Sequence, residues 1–228
     1  MKVKIISTIG PSSDSCKILN EMYESGMDII RLNTKYGSVD EFLAVTKCVR
    51  KISGIEIMYD IKNDQFIDWI KNQDLDYLAV SFSETKNDIK KYKNILGSKV
   101  KIIAKIESKK GVDNIDELID CADGIMVARG DLGDHIHIED VPIFQKLIIK
   151  KCNEKNRFVI TATEMLLSMS ENTTPERAEA SDVANAVLDG SNALMLSEET
   201  SIGKHPVLAV KTMSKIISET EKNKKLIV

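Results

Sequence analysis

The chain has 228 residues, 43% of them hydrophobic, and a formal net charge of −3 with acidic and basic side chains closely mixed. That length suits one barrel-sized domain and can bury a core without disulfides or structural metal. The mixed charge argues against a dedicated nucleic-acid surface, and no window approaches the roughly 18 apolar residues of a membrane span.

The opening MKVKIISTIG has too short an apolar stretch for a secretory signal, so a cytosolic setting is expected. Cys16, Cys48, Cys121 and Cys152 form no CxxC pair and are expected to be reduced thiols packed against helices. Short β-branched runs at 4–9, 28–32, 55–59, 77–81, 101–106, 124–128, 157–161 and 193–196 predict eight strands. Between and after them, helical spacing of apolar residues predicts helices at 12–25, 38–52, 65–71, 87–96, 112–119, 142–152, 177–188 and 206–218. The mildly basic residues 221–225 are expected to be a frayed, solvated helix end. Strict alternation requires a mostly parallel sheet, and eight units favour closure because closure removes both edges. The expected fold is therefore a single (β/α)8 TIM barrel over residues 1–228.

In such a barrel the ends of different strands meet at one mouth. Arg31, Asn33 and Lys35 follow the second strand, Asp60 the third, and Lys105 and Glu107 end the fifth on one side of it. Arg129, Gly130 and Asp131 follow the sixth, Thr163 and Glu164 the seventh, Ser197 and Glu198 the eighth. Lys105 is flanked by apolar residues and must be paired or reach the rim, because an isolated buried ammonium is costly. Glu107 and Asp131 offer hard oxygen ligands without histidine or thiol nearby, which suits Mg²⁺ or Mn²⁺ rather than zinc. The bland alternative is a set of structural ion pairs bridging strand ends. His135, His137 and His205 lack a carboxylate triad, and Tyr36 and Trp69 are expected to be packing or rim residues.

Several strings carry a resemblance along nearly the whole chain. STIGPSS at 7–13, KIIAKIESKKGVDNIDE at 101–117, DGIMVARGDLG at 123–133, RAEASDVANAVLDG at 177–190 and MLSEET at 195–200 are the clearest. With them the chain resembles the barrel domain of the pyruvate kinase family. The resemblance implies that Glu107 and Asp131 ligate Mg²⁺ and that Lys105 stabilises the enolate of pyruvate. It implies further that Gly130, Asp131 and Thr163 hold the substrate carboxylate, and that Thr163 and Ser197 sit near the methyl carbon. Arg31 would contact the transferred phosphoryl group, and Arg129 would support the metal-binding loop.

The departures are as specific. The family's lid domain, inserted after the third strand behind a motif like DTKGPEIR, is missing where Asp60-Ile61-Lys62-Asn63 runs almost directly into the next helix. The family's C-terminal domain is expected to be absent as well. NFSHG becomes NTKYG, which suggests that the Lys35 ammonium takes the monovalent-cation position beside Asn33 and Asp60, so that K⁺ is not required. TATE and MLSEET place extra carboxylates, Glu164 and Glu198, near the site. The favoured expectation is a metal-dependent enzyme that binds pyruvate or a related 2-oxo acid and handles its enolate by proton exchange, decarboxylation or aldol-type chemistry. A minimal lidless kinase acting on phosphoenolpyruvate and ADP, and a non-catalytic interaction protein, stay open beside it. A homodimer, and a partner chain covering the open mouth, complete the expectations.

Overall fold

The computed structural model describes residues 2–227. Among them eight parallel strands close in chain order: β1 (Lys4–Thr8), β2 (Ile29–Asn33), β3 (Glu56–Ile61), β4 (Tyr77–Val80), β5 (Lys101–Ile106), β6 (Gly124–Ala128), β7 (Phe158–Ala162) and β8 (Ala193–Leu196). The seam is sealed by β8 against β1, with Lys4 opposite Ala193 and Ser7 opposite Leu196. Each strand alternates its side chains between two cores. Ile6, Ile29, Met58, Ile103, Met126 and Ile160 fill the barrel, while neighbours such as Ile5, Ile57, Ile102 and Val159 pack outward against helices.

The main outer helices are α1 (Cys16–Glu24), α2 (Val39–Val49), α4 (Lys86–Leu96), α6 (Ile115–Cys121), α8 (Val141–Glu154), α9 (Arg177–Asp189) and α11 (Pro206–Ile227). Short helices α3 (Ile67–Ile70), α5 (Lys109–Asp113), α7 (Arg129–Gly133) and α10 (Glu198–Ser201) complete the set. Local chemistry explains several ends. Ser38 and Glu41 form a capping box that starts α2, proline stands in the first turn of α8, and left-handed Gly190 stops α9.

Four clamps fix the end of the barrel opposite the mouth. Asp28, Asp76, Asp123 and Asn192 precede β2, β4, β6 and β8, and their side-chain oxygens accept the N–H of Ile5, Ile57, Ile102 and Val159, each at 2.8 Å. The backbone N–H of each clamp residue returns a bond to the carbonyl of the same partner, at 2.9–3.0 Å. Every odd strand is thereby locked to the even strand that follows it.

The structure departs from the sequence expectations in a few places. The helix expected at 112–119 breaks at Asn114, whose side-chain amide donates to the Glu84 carbonyl at 2.8 Å. Residues 129–133, expected as loop, form α7. The tail expected to fray continues α11 to Ile227, and Glu221 accepts the Val3 N–H at 2.8 Å. Cys16 and Cys48, expected to be reduced, are joined in a disulfide between α1 and α2, whereas Cys121 and Cys152 are free. Trp69 packs edge-on against Tyr59 at 5.5 Å between ring centroids, and Tyr36 lies on the rim.

One glycine is dictated by close approach. A Cβ on Gly124 would stand 2.8 Å from Ile103 Cδ1 and 2.9 Å from the Phe158 carbonyl, and the carbonyl cannot swing away because it belongs to β7. Gly124→Ala is therefore expected to lose about 1–3 kcal/mol by overpacking, a fall of roughly 3–10 °C in thermal midpoint. An unchanged midpoint would show that β6 and β7 have slack at this level.

Candidate active site at the barrel mouth

Interior parity places Thr8, Arg31, Asp60, Ser81 and Lys105 above the apolar filling, with Glu107 following the end of β5. They form a line of alternating charge. Arg31 donates through Nη1 to Thr8 Oγ1 at 2.9 Å, through Nε to Asp60 Oδ2 at 2.9 Å, and its Nη2 lies 2.8 Å from the same oxygen. Lys105 Nζ lies 3.1 Å from Asp60 Oδ1, 3.0 Å from Ser81 Oγ and 2.9 Å from Glu107 Oε1. The Arg31, Asp60, Lys105 and Glu107 side chains are only 9%, 2%, 7% and 1% exposed. Two cations and two carboxylates in sequence satisfy the demand that buried charge be paired.

Burial works to raise the Asp60 pKa, yet the charges of Lys105 and Arg31 and their hydrogen bonds outweigh it, and the carboxyl stays below the ordinary aspartate value. Glu107 goes the other way. Burial pushes it above the ordinary glutamate value against the pull of Lys105 and of the Phe82 N–H, which donates to Oε2 at 2.6 Å. Phe82 holds a left-handed backbone, φ 48°, while aiming that N–H, and its ring meets His135 edge-on at 5.5 Å.

The opposite wall is organised by Arg129. Its guanidinium donates to the carbonyls of Ala162 (3.3 Å), Thr163 (2.6 Å) and Glu164 (3.2 Å), to Asp182 Oδ2 at 2.7 Å and to Gln145 Oε1 at 3.3 Å. Thr163 and Glu164 both have positive φ, 71° and 54°, so the guanidinium pins a strained turn after β7. The side-chain bonds of Arg129 run to this turn, Asp182 and Gln145, whereas the resemblance assigned it to the support of the segment at 129–133. The turn brings Thr163 Oγ1 to 2.8 Å from the Gly130 N–H, which it accepts.

The remaining candidates divide. Ser197 Oγ is buried at the end of β8 without a protein partner. Asp131 is exposed on α7, and its carbonyl bonds His135 Nδ1 at 2.7 Å. Glu164 and Glu198 are exposed. Lys35 does not enter the buried line: its Nζ sits 4.9 Å from the centroid of the Tyr36 ring, and only its backbone N–H reaches Asn33 Oδ1, at 3.1 Å. Asp60 takes its cations from Arg31 and Lys105 instead, so the ammonium expected beside Asn33 and Asp60 stands outside that position. Thr8, Ser81 and the Phe82 N–H were not among the sequence candidates; the first two carry the interior parity that would have found them, while the third depends on a φ no motif reveals.

Fold and mouth together define a closed (β/α)8 barrel whose polar groups converge at the C-terminal ends of its strands. The sequence matches the family described as pyruvate kinase, barrel domain, over residues 1–61 and 55–210, two stretches that meet at β3. The chain belongs to that family. It is 54% identical over 153 residues to a pyruvate kinase of Geobacillus stearothermophilus, a stretch covering 65% of this chain and 26% of that protein. A pyruvate kinase of Clostridium perfringens (strain 13 / Type A) is 53% identical over 154 residues, 66% of this chain and 32% of its own length. One from Dictyostelium discoideum is 51% identical over 152 residues, 65% and 30%. The aligned stretch thus spans about a quarter to a third of these relatives. No helix among the described residues is long and apolar enough to cross a membrane.

Proposed function

We propose that this barrel is a cytosolic, Mg²⁺- or Mn²⁺-dependent enzyme that binds pyruvate or a related 2-oxo acid and stabilises its enolate. The observation that carries the reading is Lys105, an ammonium held at the mouth within 3.1 Å of two buried carboxylates and a serine hydroxyl. Its three N–H donors are all engaged, so it offers one to a substrate oxygen by releasing Glu107. Among the described residues no group of three or more His, Cys, Asp or Glu converges. Glu107 and Asp131 are hard oxygen donors, and two carboxylates with substrate oxygens and water suffice for Mg²⁺. When bound there, the cation supplies positive charge beside the oxygen on which the enolate develops.

The chain's own groups supply the rest. Gly130, Asp131 and Thr163 would orient the substrate carboxylate, the Gly130 N–H exchanging its present acceptor, Thr163 Oγ1, for a carboxylate oxygen. The Ser197 hydroxyl, buried without a protein partner, would act with Thr163 near the methyl carbon whose proton moves. Arg31 engages three of its five N–H donors with Asp60 and Thr8, which fixes its guanidinium at the mouth with one N–H on each Nη left over. Exposed Ile143 and Leu147 on α8 give a homodimer an apolar face, and a partner chain could shield the open mouth.

Pyruvate and Mg²⁺ in D₂O test the reading, beside a second arm with phosphoenolpyruvate and ADP. Methyl deuteration that depends on Mg²⁺, without ATP formation, is expected. Exchange is also expected to be indifferent to replacing K⁺ by tetramethylammonium, because Asp60 already carries two cations. ATP formation would overturn the reading in favour of the minimal kinase, and absence of both activities with no pyruvate binding would leave an interaction role.

A further inference from the structure

Cys16 and Cys48 lie outside the site, on the shell of the barrel. Their Cα atoms are 5.1 Å apart, within the range a disulfide spans without backbone movement, and they are bonded. The bond joins the first residue of α1 to the last turn of α2 across 32 positions of sequence. The two sulfurs differ in setting. Cys16 is exposed, Ser15 caps its helix, and the first turn of α1 has no acidic residue, so the positive end of the helix favours a thiolate there. Cys48 is half-buried against the apolar core, near the C-terminal end of α2, where a helix disfavours negative charge. The other two cysteines are unsuited to exchange, since burial pushes both thiols up, that of Cys152 to about 12.

We propose that Cys16 and Cys48 form a reversible thiol–disulfide site, with Cys16 the attacking and Cys48 the resolving sulfur, exchanging with soluble disulfides of the glutathione type. In the oxidising direction the Cys16 thiolate attacks one sulfur of the soluble disulfide, forming a mixed disulfide and expelling one thiolate. Cys48, losing its proton to solvent, then attacks Cys16 sulfur, forms the intramolecular bond and expels the second thiolate. Two protein thiols are oxidised, one soluble disulfide is reduced to two thiols, and the protons end on solvent or the leaving thiolates. The bond ties the β1–α1 unit to the β2–α2 unit, whose connections at residues 10–15 and 34–38 form one rim of the mouth.

The test uses the intact chain equilibrated in reduced-to-oxidised glutathione mixtures, quenched by alkylation and mapped by mass spectrometry. The Cys16–Cys48 pair is expected to titrate as one two-electron unit while Cys121 and Cys152 stay alkylatable after denaturation. Cys48→Ser should accumulate a stable glutathione adduct on Cys16, at least tenfold more than Cys16→Ser accumulates on Cys48. The oxidised protein should melt roughly 10 °C above the reduced one, a difference absent from either variant. A pair that stays reduced in fully oxidised glutathione, adducts that favour Cys48, or equal melting of the two redox forms would each overturn the proposal. The glutathione titration and the melting difference are read on the wild-type chain itself, so those two outcomes stand however well the variants fold.

Discussion

Lys105→Met is expected to lower Mg²⁺-dependent deuteration of pyruvate by about 10³-fold, the scale set by removal of one fixed donor at a developing oxyanion. Methionine keeps most of the side-chain volume among Asp60, Ser81 and Glu107 but takes away the only positive charge that lies between the two carboxylates. A second consequence separates this from simple unfolding. With Nζ gone, Asp60 and Glu107 face each other across the space it filled, and their joint ionisation becomes unfavourable. The folded form then holds a proton more tightly than the unfolded chain, so stability lost at neutral pH should return as the pH falls towards the ordinary carboxylate range. Exchange followed by NMR, with thermal melts at neutral and mildly acidic pH, checks both parts. A variant that still exchanges protons at near wild-type rate would remove Lys105 from the chemistry.

Arg129→Lys is expected to cost about 3 kcal/mol, seen as a fall of roughly 6–12 °C in midpoint. The guanidinium serves three successive carbonyls on the β7 turn together with Asp182 and Gln145, a fan that one ammonium cannot reproduce. Two of those carbonyls belong to residues of positive φ, so loosening the fan lets Thr163 and Glu164 relax away from their strained conformation. Thr163 Oγ1 would then leave the Gly130 N–H, and pyruvate affinity should fall together with stability. Stability lost with affinity intact would show that the turn keeps its shape without the arginine.

Much of this architecture was legible in the sequence. Three strands, β5, β6 and β8, match their expected limits, because short apolar runs bounded by turn and polar residues leave little choice. The line Arg31, Asp60, Lys105, Glu107 could be placed at one mouth from parity alone, since strand ends of a barrel converge. What stayed hidden depends on distances between elements. Nothing in a spacing of 32 residues announces that Cys16 and Cys48 meet, because that depends on how far α2 is displaced along α1. The partner of Lys35 was equally unreadable, since charge suggests Asp60 while the backbone directs the side chain outward over Tyr36. The break at Asn114 follows from a side-chain bond to another loop, invisible to a helical pattern that is apolar on both sides of it.

The clamps at the far end of the barrel bear on how such a mouth can be rebuilt. Asp76 locks β4 to Ile57 on β3 by two hydrogen bonds placed at the starts of those strands, so their register does not depend on the chain that joins them at the other end. The loop that leaves β3 at residues 62–63 is therefore free to vary without moving that register, while α3 behind it stays packed on the core through Ile67 and Ile70. A whole domain can be threaded into that loop, as the family resemblance implies for the longer enzymes, or the loop can shrink to the two residues Lys62 and Asn63 seen here. A scaffold of this kind tolerates gain or loss of a lid as a change of tenant.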